Sequence, residues 1–399
     1  MYDFDTLLNR KGSDSYKWDG LSKEYGDPDL MPFWVADMDF KPLPDLDEAL
    51  RARTVDATYG YTFAGADYYR SITGWYGRRH GLAVSPEEIV NVPGVLTGLH
   101  MTLAALAKPG DRIIINTPVY PPFFKLGEDG RYTVLQSPLK EAAGRYYLDF
   151  TDLEEKMKKG ARFYVLCSPH NPSGRIWSRE ELLELVALCR RYGVILLSDE
   201  IHGDLAMPGQ IHHPLLSLSE EARKVSIVAS APSKTFNCAG LKSSFLIIPD
   251  EEMRRKVRRK IESYHIDIDL FGLLAAKVVF EKGDRWLDEL MRYLQDNALA
   301  MKDFIQARLP GVKAYMPDAS YLFWLDCRGT NLSQEELVRR LKTEGRLALN
   351  DGVLFGPEGT GYVRFNFGTP RSYLEKGFEG LERALGTASI QASPAAAGA

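Results

Sequence analysis

RFYVLCSPHNPSGRIWSREELLELVALCRRYGVILLSDEIHGD, residues 162–204, decides the fold. Its two strand-length runs, RFYVLCSP (162–169) and GVILLSDE (193–200), are apolar and end in turn-forming or acidic residues. Between them SREELLELVALCRRYG (178–193) sets apolar residues at helical spacing behind a serine N-cap and closes on a glycine. Strand, helix and strand in that order predict a parallel βαβ unit. The pattern extends in both directions, with RIIINTP (112–118), VSIVASAP (225–232) and SSFLIIPD (243–250) as further strands and amphipathic stretches between them from about residue 85. The expectation is an α/β protein with a doubly wound, mostly parallel sheet.

The rest of the chain is placed around that sheet. Its 399 residues exceed one typical core, so two domains are expected. Residues 1–45, rich in Asp, Pro and aromatics (GDPDLMPFWVADMDFKPLPD), read as an ordered, irregular arm joining the smaller domain, and 46–275 as the large domain. Longer helices and the strands SYLFWLDCR and GYVRFNFG make 276–386 a smaller α+β domain, and 387–399 a low-complexity tail expected to be disordered. With 45% apolar residues, 26% charged residues and a net charge of -4, nothing electrostatic invites nucleic acid or an acidic membrane. The basic run RRKVRRK (254–260) accordingly reads as a solvated helix face. MYDFDTLLNRKG lacks the apolar run of a signal peptide, and no stretch approaches a membrane span, so a cytoplasmic protein is expected. Cys167, Cys189, Cys238 and Cys327 have no CxxC spacing, which suggests reduced thiols and no metal site. Cys238 reads as a packed small side chain, and the adjacent His212 and His213 as part of a loop near Pro214.

Ligands of open α/β sheets sit beyond the carboxyl ends of the strands, so the residues that follow each run carry the functional reading. There the chain offers PHNPSGR, DEIHGD, APSKTFN and, near its end, RFNFG. In SAPSKTFNCAGLKSS (230–244) a lysine stands among small and turn-forming residues, with a second eight positions on. From YDFD and FWVADMDF through YGYTF, NVPGV, TPVYPPF, SPHNPSGR, SDEIHGDL and APSKTFNCAGLKSS to RFNFG, the chain resembles the pyridoxal phosphate (PLP) enzymes of fold type I in the class I/II aminotransferase superfamily. Within that superfamily it is most similar to the MalY/PatB group of cystathionine β-lyases, the C-S lyases.

The resemblance implies the PLP transferase fold type I and a role for each residue type. Lys234 would carry the PLP aldehyde as a Schiff base and, once freed by substrate, take the α-proton. Asp199 would pair with the pyridine nitrogen, Asn171 with the 3-oxygen, and Tyr120 would stack on the ring with its hydroxyl near the reacting atoms. Gly94, Val95 and Leu96 open a helix whose N-H groups suit the phosphate, with Ser233 and Lys242 as side-chain partners. Lys242 stands where many relatives have arginine and Ala231 where aminotransferases often have serine, which thins the phosphate contact. Tyr61 would reach the phosphate of a neighbouring subunit, implying an active site at a homodimer interface. Arg364 would grip the substrate α-carboxylate in a bidentate fork, completed by the backbone at Ala36 and Asp37.

Three functions are compatible with these assignments. A β-lyase expels a thiolate from L-cystathionine or a related cysteine S-conjugate and yields pyruvate and ammonia. An aminotransferase shares every step up to the α-carbanion. His202, in DEIHGD, occupies a place where many aminotransferases have tyrosine, and marks the lyase group. A regulatory role through a protein partner, as in some members of the group, is the third; intact Lys234, Asp199 and Arg364 argue for catalysis in any case.

Overall fold

The structure, a computed structural model, describes residues 1–128 and 130–387; the tail from 388 onward lies outside the described residues. A seven-stranded sheet organises the chain, its strands being β1 (Ile89–Val92), β2 (Arg112–Thr117), β3 (Thr133–Pro138), β4 (Ala161–Cys167), β5 (Ile195–Asp199), β6 (Ser226–Ser230) and β7 (Ser244–Ile247). Their order is β1-β7-β6-β5-β4-β2-β3, and all pairs are parallel except those that β7 makes with β6 and β1.

Why these runs are strands follows from where their side chains go. In β2, Ile113 and Ile115 point into one apolar cluster while Ile114 points into the other; in β4, Phe163 and Val165 oppose Tyr164 and Leu166 in the same way. A sheet buried on both faces needs continuous apolar runs, which is what the sequence supplies. Helices α1 (Pro44–Val55), α2 (Ala66–His80), α3 (Val95–Leu106), α4 (Arg179–Tyr192), α5 (Glu251–Ser263) and α6 (Leu270–Lys282) accompany the sheet. Ser178 and Glu181 close a reciprocal capping box at the start of α4, and Gly193 ends that helix at positive φ.

The basic run forms part of α5, where Val257 and Ile261 are buried. Its face is not simply solvated: Arg254 donates to the carbonyls of Ile248 and Pro249, and Arg258 to those of Glu87 and Ile89. The expected boundary at 275/276 falls inside α6, which packs on α1 and α2. Beyond it come α7 (Asp284–Arg308), α8 (Gln334–Thr343) and α9 (Arg371–Leu385), with a four-stranded antiparallel sheet of order β8-β9-β11-β10, made of β8 (Lys313–Ala314), β9 (Leu322–Asp326), β10 (Asn350–Asp351) and β11 (Tyr362–Asn366). The N-terminal segment joins this half, Met31 and Pro32 pairing in parallel with Leu347 and Ala348.

Candidate active site

A cavity of about 450 Å³ opens where the carboxyl ends of the large sheet meet the arm and β11. Asp199 is the last residue of β5, Asn171 follows β4, Lys234 lies in the short turn Pro232–Thr235 after β6, and Gly94 caps α3 after β1. All four line the cavity, with Val95, Leu96, Tyr120, His202, Ser233, Lys242, Ala36 and Arg364. The sequence scatters these groups, and the topology collects them because the parallel strands all end at one edge, where the arm and β11 bring Ala36 and Arg364.

Arg364 is the most constrained of them. It is 5% exposed, and its guanidinium donates to Asn171 Oδ1 (3.0 Å), the Trp34 carbonyl (2.8 Å) and Asn350 Oδ1 (2.6 Å). Its Nε has no partner, and no carboxylate among the described residues pairs with it. Burial holds its pKa down at about 10. A buried, oriented cation without an anion is a costly arrangement unless a ligand supplies the charge. Because a guanidinium only donates, the Asn171 amide must turn its oxygen to Arg364, which leaves its NH2 as a donor for something else.

Asp199 is the inverse case. Burial raises its carboxyl to about 7, although the Ile201 N-H donates to Oδ1 and Lys234 favours the anion. A cationic ring nitrogen would remove that penalty. Lys234 keeps part of its surface on the cavity, and its Nζ donates to the Ala36 carbonyl at 2.6 Å. Burial, ahead of the charges of Asp37, Arg364 and Asp199, pulls this amine below the ordinary lysine range. His202, held neutral with a pKa of about 3 chiefly by burial, has an unpartnered Nδ1 and meets the Tyr321 ring edge-on. The start of α3 has no side-chain cap, so its first N-H groups are available. A buried amine, an anion needing a cationic ring, uncapped helix N-H groups and a cation needing a carboxylate together fit PLP and an amino acid.

Two expected residues are not brought to the cavity. The Asp37 N-H is spent on the Val35 carbonyl and its side chain on Arg10, so only Ala36 of that pair lines the site. Tyr61 is wholly exposed in the single chain. Conversely, Tyr16, Trp34, Cys167 and Asn350 line the site without having been singled out. Trp34 lies within the quoted FWVADMDF, a signal that was present; Asn350, in LALND, has none, because its importance comes from facing Arg364 across the β10-β11 register.

The family described as aminotransferase class I and II matches residues 28–381. Cystathionine β-lyase PatB of Bacillus subtilis (strain 168) is 41% identical, over 96% of this chain and 99% of its own. The crystal structure of cystalysin from Treponema denticola, which contains a pyridoxal 5'-phosphate cofactor, superposes with a TM-score of 0.93 at 32% identity, covering 96% of this chain and 99% of that one. A PLP-bound C-S lyase from Staphylococcus hominis superposes with a TM-score of 0.88 at 29% identity, again covering 96% and 99%.

Proposed function

The chain belongs to the class I and II aminotransferase family, and from that premise we propose that it is a PLP-dependent carbon-sulfur β-lyase, cleaving L-cystathionine or related cysteine S-conjugates into a thiol, pyruvate and ammonia. The observation that carries this reading is the charge arrangement of the cavity: the buried Arg364 lacks an anion while Asp199 lacks a cation, and the Lys234 amine lies in the same space.

When bound, PLP would supply an electron sink for the pair left at Cα, the chemistry that loss of a thiolate from Cβ needs. The residues of the chain do the rest. Lys234 would hold the cofactor aldehyde through its Nζ and, once free, would accept the α-proton; a lowered pKa leaves more of the amine uncharged for that task. Asp199 gives the ring nitrogen an anionic partner. Asn171 would offer its NH2 to the 3-oxygen, and Val95, Leu96, Ser233 and Lys242, which line the same cavity, would hold the phosphate. Arg364, its guanidinium held in place by Asn171, Trp34 and Asn350, would offer its remaining N-H donors to the α-carboxylate. Burial, then Asp199, keeps the Tyr120 phenol protonated, so it can hydrogen-bond the sulfur as the Cβ-S bond breaks. His202 adds a neutral ring to the wall.

The active unit in this reading is a homodimer in which Tyr61 reaches the phosphate of a second copy. The exposure of Val55, Tyr59, Tyr61 and Phe63 on one short segment supports that surface being covered. The arm (1–45), large domain (46–275) and small domain (276–386) are retained as the division, with the strand pairing at Met31–Pro32 supporting the attachment of the arm. No described helix is long and apolar enough to cross a membrane, and the reading places the enzyme in the cytoplasm. Holoprotein given L-cystathionine and no 2-oxo acid should release pyruvate, ammonia and thiol in equal amounts. Turnover that requires a 2-oxo acid would assign the aminotransferase reaction instead.

A further inference from the structure

Asp204, the last residue of DEIHGD, has no part in the chemistry above, yet it is bound from three directions. Its side chain is 10% exposed. Oδ1 accepts the Trp75 indole N-H at 2.9 Å and lies 2.7 Å from His80 Nε2, while Oδ2 accepts the Thr235 hydroxyl at 2.9 Å. Trp75 and His80 belong to α2, and Thr235 is the neighbour of Lys234 in the turn after β6. Asp204 itself lies five residues beyond Asp199 on the segment leaving β5. One carboxylate therefore joins the segment that carries Asp199 and His202 to the turn that carries Lys234, and anchors both to a long helix.

Apolar packing alone does not fix that turn. Phe236 is wedged between Trp75, Phe280 and Trp286, with ring centroids 5.5, 6.2 and 5.8 Å away. Such contacts hold the turn in place but are not directional, whereas a hydrogen bond to a carboxylate sets orientation. Burial by itself would raise the Asp204 carboxyl, but His80, Trp75 and Thr235 hold it below the ordinary range, so it stands there as an anion. The network continues behind the cavity. His80 meets the His212 ring edge-on at 6.0 Å, and His212 Nε2 lies 3.2 Å from Glu200, the neighbour of Asp199.

We propose that Asp204 is a positioning residue: through Thr235 it sets the orientation of the Lys234 turn relative to Asp199, so that the two anchors of the cofactor keep their register. The proposal rests on the reading of Lys234 as the PLP attachment site. Thr235→Val tests it with little change of shape, because only the hydroxyl donor is lost. In holoprotein this variant should show a displaced visible absorption maximum of the bound cofactor and PLP dissociation roughly 10-fold faster or more, the loss typical of a hydrogen bond to a charged group. Thr235→Ser should restore both. Asp204→Asn, which turns an NH2 toward the same donors, should exceed Thr235→Val in both readouts. A Thr235→Val protein with the parent spectrum and dissociation rate overturns the proposal, even if its melting temperature falls, since Asp204 would then serve stability alone. A Thr235→Ser protein that behaves like Thr235→Val also overturns it. Lys234→Ala is the control: should it retain the visible band, the attachment reading falls and takes this proposal with it.

Discussion

At the scale of single residues, the site is defined by charges that the folded chain leaves unbalanced, and Asp199 gives the clearest consequence. Its carboxyl ionises near 3.8 in an unfolded chain and at about 7 in the folded one, burial being the main cause. The folded, cofactor-free protein therefore holds this proton more tightly than the unfolded chain does. Stability from that preference is present in full below the lower value, declines as pH rises between the two, and is gone above the upper one. Asp199→Asn removes the dependence without adding a charge. In cofactor-free protein, the melting temperature of the variant relative to the parent should rise between pH 5 and pH 8, by the equivalent of a few kcal/mol at most. An unchanged difference across that range would show that Asp199 is not held as described. The neutral His202 and His170, both depressed to about 3 by burial, destabilise the fold as pH falls below the ordinary histidine range, but they do so equally in both proteins and cancel in the comparison. That Lys234, Asp199 and His202 would gather on one side was legible in the sequence because each follows an apolar run that ends at the ligand edge; Arg364, within a strand of the small sheet, and the role of each residue were read through resemblance. Asn350 was not legible, since what it does for Arg364 depends on a strand register that leaves no mark in residue type; Trp34 stood in a motif that was read, but the role of its backbone carbonyl leaves no such mark either.

At the scale of elements, the strands read from apolar runs lie where expected, while β1 and β3 were passed over and the direction of β7 was not foreseen. SSFLIIPD has the same apolar character as its parallel neighbours, and composition carries no sense of direction; only the path through the Lys234 turn makes β7 antiparallel. Helix α3 shows how packing at one end of an element sets chemistry at the other. Gly98 lies one turn in from the N-terminus of α3, and a Cβ there would meet Leu246 Cδ2 at 2.9 Å and Val92 Cγ2 at 3.1 Å, both on fully buried residues of the sheet. Alanine has the better helix propensity by about 1 kcal/mol, but the close approach of helix to sheet opposes it, and both neighbours sit fully buried in the close-packed core. The collision should prevail and lift the first turn, with Val95 and Leu96, away from the phosphate position. Gly98→Ala is expected to weaken PLP affinity several-fold while far-ultraviolet circular dichroism stays unchanged. Affinity equal to that of the parent would mean that the start of α3 does not hold the phosphate.

At the scale of the whole molecule, one chain assembles every expected group except Asp37, whose side chain goes to Arg10, and Tyr61, which stands exposed on a segment whose other large apolar side chains, Val55, Tyr59 and Phe63, are exposed as well. Sequence reading could assign Tyr61 only through resemblance, because a contact between subunits has no period or spacing within one chain. A homodimer with shared sites makes a prediction that a self-sufficient monomer does not. Lys234→Ala destroys the site of its own subunit but leaves Tyr61 to be lent to the other. Tyr61→Ala does the reverse. In a mixed dimer one site combines intact Lys234 with intact Tyr61, and the other combines both defects. Random reassortment of equal amounts makes about half of the dimers mixed, each with one sound site in two, so roughly a quarter of the parent activity should return from two preparations that are each nearly inactive. The assay is pyruvate release from L-cystathionine after co-refolding, compared with the same preparations mixed without refolding. Activity no greater than the sum of the two separate variants would place Tyr61 outside the site and make each subunit complete in itself.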